Sequence, residues 1–171
     1  MSAERFTLQD LADRAEIADL LARYSRAVDR RDFAALPALY APGAVQDHGE
    51  AFCGEAALFI EWLRQTMGTM KTQHLVANML IAINGTEAQG EIYTINTHIF
   101  PGEPATQMTA GGRYLDHYVK REGRWLFARR RRVIDWSREE PARPSPYTAR
   151  SAQGTCGPDD PSFEELPLLA D

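Results

Sequence analysis

Ile17, Leu21, Tyr24 and Val28 recur at the three- and four-residue spacing of one helical face. Arg14, Glu16, Asp19 and Arg23 lie off that stripe. The pattern predicts a helix over residues 7–29, with Thr7 as N-cap three positions before Asp10. The helix stops in the charged run Asp29-Arg30-Arg31-Asp32. Asp32 reads as the cap of a short helix from Phe33 to Tyr40, made irregular by Pro37 and closed by Pro42-Gly43. Ala44 to His48 reads as a short strand, and Glu55 to Met67 as a third helix with Leu58, Trp62 and Leu63 on one side.

The period then changes. Lys71 to Ile83 and Ala88 to Phe100 are strand-like and flank Asn84-Gly85, a dipeptide that favours a tight hairpin turn. Gln107 to Lys120 and Arg124 to Trp136 form a second hairpin around Glu122-Gly123. Strands of this length imply strong curvature, with Gly111-Gly112 as the bend or bulge. Helices first and an antiparallel meander after predict an α+β domain, a curved sheet closed by helices into a cone with a concave pocket. Six of the ten prolines fall after residue 137, so residues 1–137 read as the domain and 138–171 as a Pro-rich tail. The apolar end of that tail (Phe163, Leu166, Leu168 and Leu169) implies that it caps the pocket or reaches a neighbouring subunit; a partly disordered tail is the competing reading.

Composition narrows the function. The chain of 171 residues carries a net charge of -5, which argues against a general nucleic-acid binder. The run Arg129-Arg130-Arg131-Arg132 does not change this, because strand alternation sends Arg130 and Arg132 to one face and Arg129 and Arg131 to the other. Charges scattered through the first residues do not form a signal peptide, and no apolar run approaches the ~20 residues of a membrane span. With only Cys53 and Cys156, a reducing compartment and a cytoplasmic location are expected. His48, His74, His98 and His117 show no metal-ligand spacing, so no metal is expected. His98 and Asn96, two apart on one strand, share a face.

Three segments carry a resemblance: AEIADLLARYSRAVDRRDFAALPALYAPGAV, TQHLVANMLI and GGRYLDHYVKREGRWLFARRR. Over residues 5–137 the chain resembles the SnoaL-like (nuclear transport factor two-like) family. Within it, the motifs are most similar to those of bile-acid dehydratase and hexachlorocyclohexane dehydrochlorinase, with scytalone dehydratase more distant. The resemblance implies that Asp29, in AVDRRD, orients His74, in TQHLVAN, as general base of an elimination. Tyr24 matches a catalytic Tyr of the bile-acid dehydratase, where the dehydrochlorinase has Lys, and Arg130 matches a catalytic Arg of the dehydrochlorinase.

These residue types suit the chemistry. A neutral imidazole titrates near pH 7 and can take a proton from carbon, provided a carboxylate on its other nitrogen fixes the tautomer. Tyr24 and Arg130 would assist the leaving group or hold an oxyanion. Val28, Phe33, Tyr40, Phe52, Leu58, Trp62, Met70, Val76, Asn78 and Tyr114 are the expected substrate-binding wall. The expectation is therefore a cofactor-independent lyase of the dehydratase type. Its substrate would be a hydrophobic ring-bearing small molecule such as a steroid, polyketide or terpenoid. The alternatives are a noncatalytic binding or accessory protein, and an isomerase or polyketide cyclase using Asp116 as base. By analogy with the related dehydratases a homo-oligomer is expected, a trimer before a dimer.

Overall fold

Thr7 starts the first helix with a reciprocal cap: its hydroxyl accepts from the Asp10 N–H at 3.1 Å, while the Asp10 carboxylate accepts from the Thr7 N–H at 2.8 Å. In the computed structural model, which describes residues 6–169, this helix, α1, spans Leu8–Asp29. Its stripe of Ile17, Leu20, Leu21, Tyr24 and Val28 is buried. Each such side chain contributes about 1.5–3 kcal/mol when taken out of water.

The expected helix over Phe33–Tyr40 is only a 3-10 turn, Leu36–Leu39, because Pro37 removes a backbone donor. The chain passes straight into β1 (Tyr40–Asp47), then β2 (Cys53–Glu55) and α2 (Ala56–Thr66). Four long strands follow: β3 (Lys71–Asn84), β4 (Glu87–Phe100), β5 (Thr106–Arg121) and β6 (Arg124–Pro141). The sheet order is β2-β1-β6-β5-β4-β3. The antiparallel meander expected for β3 to β6 is present. β2 and the parallel pairing of β1 with β6 were not foreseen, because a parallel partner is set by the whole crossover rather than by local pattern. α1 packs across the inner face against β3 and β6. Tyr24, Tyr114, Tyr118 and Phe127 form the aromatic centre of the core, Tyr24 meeting Phe127 edge-on at 5.8 Å.

The expected bend lies at Gly111-Gly112, where the register with β6 slips and Asp135 loses its opposite number. A Cβ on Gly112 would come within 2.1 Å of the Val133 carbonyl oxygen, and one on Gly111 would meet the Trp136 ring at 2.3 Å. Gly112→Ala must therefore move backbone. It is expected to lower stability by about 1–3 kcal/mol, read from the denaturation midpoint.

The tail begins later than expected. β6 continues through residues 138–141, paired there with β5 alone. At this free edge the missing N–H of Pro141 is tolerated. The tail then returns to the end of α1. Arg30 donates to the Thr155 carbonyl at 3.0 Å and pairs with Asp160 at 3.4 Å, and the Arg26 guanidinium lies 4.6 Å over the Phe163 ring. Asp160 caps α3 (Pro161–Glu165) through the Ser162 N–H. The outer ends of both sequence segments, residues 1–5 and 170–171, lie outside the described residues. Asp160→Ala is expected to cost about 1–2 kcal/mol and to make residues 142–169 the first site of limited proteolysis. Among the described residues no helix is long and apolar enough to cross a membrane.

Candidate active site

Asp29 is the last residue of α1, and its side chain points at the start of β3. Its carboxylate accepts three hydrogen bonds there: from the Thr72 hydroxyl at 2.8 Å, the His74 backbone N–H at 2.9 Å and the His74 ring Nδ1 at 2.7 Å. A carboxylate can only accept, so a ring proton sits on Nδ1, and in the neutral ring the lone pair is on Nε2. Although burial opposes it most strongly, these donors together hold the Asp29 carboxyl below the usual value of 3.8. Its contribution to stability is thus complete above pH 3.8 and fades as pH falls through the lower folded value.

Arg31 braces the pair. It occupies the left-handed region at φ 59 and its guanidinium donates to the Val28 carbonyl at 2.7 Å, the Thr72 hydroxyl at 3.1 Å and the Met70 carbonyl. These bonds tie the end of α1 to the first residues of β3. A free-standing turn would not keep two groups 45 positions apart within 2.7 Å.

Beside His74 lies a cavity of about 190 Å³. Tyr24, Val28, Trp62, Met70, His74 and Tyr114 line it, as the sequence reading placed them. His48, Phe59, Leu63, Thr66, Met67, His98, Phe100 and Arg132 complete the wall and were not among the expected lining residues. The parity shared by Asn96 and His98 was the available signal for His98; His48 had none. A larger groove of about 430 Å³ between α1 and the start of β6 holds mixed charges, including Glu16, Asp19 and Arg26, and neither member of the pair.

Several expected positions need correction. Arg130 is fully buried behind the cavity rather than in its wall. Its Nε and Nη2 bind both oxygens of Asp116 at 2.8 and 2.7 Å, and its guanidinium packs 4.4 Å over the Tyr24 ring. The exposed wall position on that strand face belongs to Arg132, two residues on. Leu58 is 63% exposed because the buried stripe of α2 runs through Ala56, Phe59, Ile60 and Leu63, one step off the expected side. Asn78 is exposed because a bulge between Val76 and Met79 inserts an extra residue and inverts the alternation. Phe33 and Tyr40 are buried outside the cavity wall, and Phe52 is half-buried behind it. Phe33 faces Arg64, Tyr40 packs on Phe127 and Phe52 backs Phe59 and Trp62. Val76 packs against the core without reaching the cavity. Asp116 also accepts from the Tyr118 hydroxyl at 2.8 Å, so the carboxylate weighed as an isomerase base is committed to its neighbours.

Residues 9–131 match the model of the SnoaL-like domain. This chain belongs to the SnoaL-like family. An uncharacterised protein of Mycobacterium tuberculosis H37Rv is 28% identical to it over 127 residues, 72% of this chain and 86% of that one. The SnoaL-like fold is shared with hexachlorocyclohexane dehydrochlorinase LinA-type3 from Novosphingobium barchaimii (TM-score 0.71, 17% identity, 81% of this chain and 99% of that one). It is shared also with a candidate scytalone dehydratase from Novosphingobium aromaticivorans (TM-score 0.72, 22% identity, 82% of this chain and 95% of that one). The structural relatives of this SnoaL-like protein thus include dehydrochlorinase and dehydratase enzymes.

The electrostatics of the wall favour the neutral forms of His48 and His98. Burial first, then the charges of Arg132 and Arg130, lowers His48 to about 3. Burial, then His74 and Arg132, lowers His98 to about 4. Both values lie below the ordinary 6.5, so the unfolded chain binds protons that the folded chain refuses. The stabilisation is complete above pH 6.5 and is lost as pH falls from there towards 4, at about 1.4 kcal/mol per pH unit for each histidine. Urea midpoints should fall steeply over that window, and His98→Phe should flatten the slope. Burial likewise pushes Tyr24 well above 10, so its hydroxyl keeps its proton and has one to donate. Among the described residues, no three of His, Cys, Asp and Glu converge closely enough to hold a metal ion.

Proposed function

We propose that this SnoaL-like protein is a cofactor-independent lyase that removes water from a small ring-bearing substrate. The observation that carries this reading is the His74 Nδ1 contact to Asp29 at 2.7 Å, with the ring at the wall of a hollow. A binder has no need of an oriented base, so the contact favours catalysis over a noncatalytic role. Nε2 of His74 takes a proton from the carbon next to an activating group. The C–H electron pair becomes the new double bond as the C–O bond breaks. The imidazolium then returns its proton to the departing oxygen, which leaves as water, and His74 is neutral again. Asp29 stabilises the imidazolium between the two steps. Tyr24 donates a hydrogen bond to the activating carbonyl or to the leaving oxygen, and Arg130 acts through Tyr24 rather than on substrate.

The cavity is smaller than the ~300–1,000 Å³ of pockets for drug-sized ligands, which favours one or two rings over a four-ring steroid. The test is a panel of cyclic β-hydroxy ketones and β-hydroxy acids, followed by the absorbance of the conjugated product. His74→Ala should lower kcat/KM by about 10²–10⁴-fold on any substrate found. A substrate turned over equally well by His74→Ala would overturn the mechanism.

The same proposal includes a homo-oligomer, a trimer before a dimer. One face of the sheet exposes Leu75 on β3, Tyr93 and Ile95 on β4, and Trp136 of β6, whose ring lies over Gly111 of β5. Such a row is apolar surface that a second copy would cover. Light scattering after chromatography should give a multiple of the 19.2 kDa chain, and Ile95→Lys should reduce it to the monomer.

A further inference from the structure

Among the described residues, Arg132 is the one arginine or lysine in the cavity wall, and it has no counter-ion there. It lies half-buried, on the strand face that also carries Arg130. Arg130 is neutralised by Asp116, Arg113 by Glu91 and Asp135, and Arg31 donates through Nη1 and Nη2 to carbonyl and hydroxyl acceptors. The Arg132 side chain makes no hydrogen bond or ion pair among the described residues. Among the described residues no carboxylate lines this cavity, and Asp29, behind His74, is turned away into its three donors at the base of β3. The buried Nδ1 of His98 also lacks a partner. A half-buried guanidinium without an acceptor is costly, and its planar fork matches a carboxylate with two parallel hydrogen bonds.

The neighbouring stretch of wall supplies the other half of a recognition site, starting at His48 beside the β1–β6 pairing. His48 stacks on Phe59 at 4.7 Å, and Phe59 on Trp62 at 5.6 Å. That aromatic surface accepts a flat ring. The depressed titration of His48 and His98 fits the same picture, since Arg132 is among the causes for both rings. Neither of these two imidazoles adds positive charge at neutral pH, and Arg132 is the permanent charge beside them.

We propose that Arg132 makes this cavity selective for ring compounds bearing a carboxylate, held by the guanidinium while the ring lies on the His48, Phe59 and Trp62 wall. The proposal rests on the reading of this cavity as the substrate site, and it names the substrate class. The carboxylate anchors one end of the molecule and leaves its carbon skeleton to face Nε2 of His74. Arg132 is thereby the specificity-determining residue, separate from the proton-transfer pair.

Calorimetric titration of the full chain at pH 8 with 2-naphthoate and with its neutral isostere 2-naphthamide tests this. The naphthoate should bind at least about tenfold more tightly, a preference of about 1.4 kcal/mol. Added salt should weaken the naphthoate alone. Arg132→Met should equalise the two, and Arg132→Lys should keep part of the preference; circular dichroism checks that both variants fold, and Arg132→Gln serves if the Met variant does not. Equal affinities in the native chain, a preference that survives Arg132→Met, or no naphthoate binding at millimolar concentration would each overturn the proposal. His74→Ala separates it from the elimination mechanism. That variant should lose turnover yet keep the naphthoate preference. Loss of the preference there would assign the anion to the imidazole and refute the role of Arg132.

Discussion

Asp29→Asn should lower kcat by about 10⁴-fold while the fold and substrate affinity stay close to those of the native chain. The carboxylate accepts from Nδ1 of His74 at 2.7 Å and thereby forces the ring proton onto that nitrogen. An asparagine amide presented to Nδ1 donates instead. The proton then moves to Nε2, the nitrogen left over to face the cavity, and the base is lost. The imidazolium that forms during turnover also loses its counter-charge. The Asn carbonyl, on the other side, still accepts from the His74 backbone N–H, and the Thr72 hydroxyl can turn to accept from the amide, so the local geometry survives. Two measurements together check this: kcat, and the nitrogen chemical shifts of His74, which should report the other tautomer. Native turnover in Asp29→Asn would mean that the pair is not the catalytic device.

The largest effect on stability is expected at a group the chemistry does not touch. Asp116→Ala should cost about 3–5 kcal/mol, because it leaves the Arg130 charge buried and unpaired. Arg130 has no exposure, and Asp116 meets it with two hydrogen bonds at 2.8 and 2.7 Å. Rings of Tyr24, Tyr114 and Phe127 lie 4.0–4.4 Å from the guanidinium. Their cation–π attraction, about 2 kcal/mol when desolvated, is well short of the charge it would have to replace. Against a typical domain stability of about 5–15 kcal/mol the loss is a third or more in most cases. The pair replaced together, Asp116→Leu with Arg130→Met, should recover most of it, since apolar groups of similar volume carry no desolvation penalty. Denaturant midpoints at unchanged slope give the comparison. A cost below about 1 kcal/mol for Asp116→Ala would show that water reaches Arg130.

Much of the scaffold was legible in the chain. The α1 stripe, the Thr7 cap and the hairpin at Asn84-Gly85 are local signals, each carried by residues within a few positions of one another. The juxtaposition of Asp29 with His74 was not local. It rested on the likeness of two short motifs to a family, and its physical cause is the brace formed by Arg31 and Thr72. Alternation told correctly that Arg130 and Arg132 share a face, yet it could not say how deep each lies. Depth depends on where β6 passes under α1.

What the sequence determined by itself is the order and type of the long elements, the bend at Gly111-Gly112 and the residue types available for proton transfer. Only the tertiary structure decided that Arg132 rather than Arg130 meets the cavity, that Asn78 turns outward at a bulge and that β1 joins β6 in parallel. The reason is physical. Periodicity fixes which side of an element a residue occupies, but burial and pairing are set by the partner element, and one inserted residue exchanges the two faces of a strand.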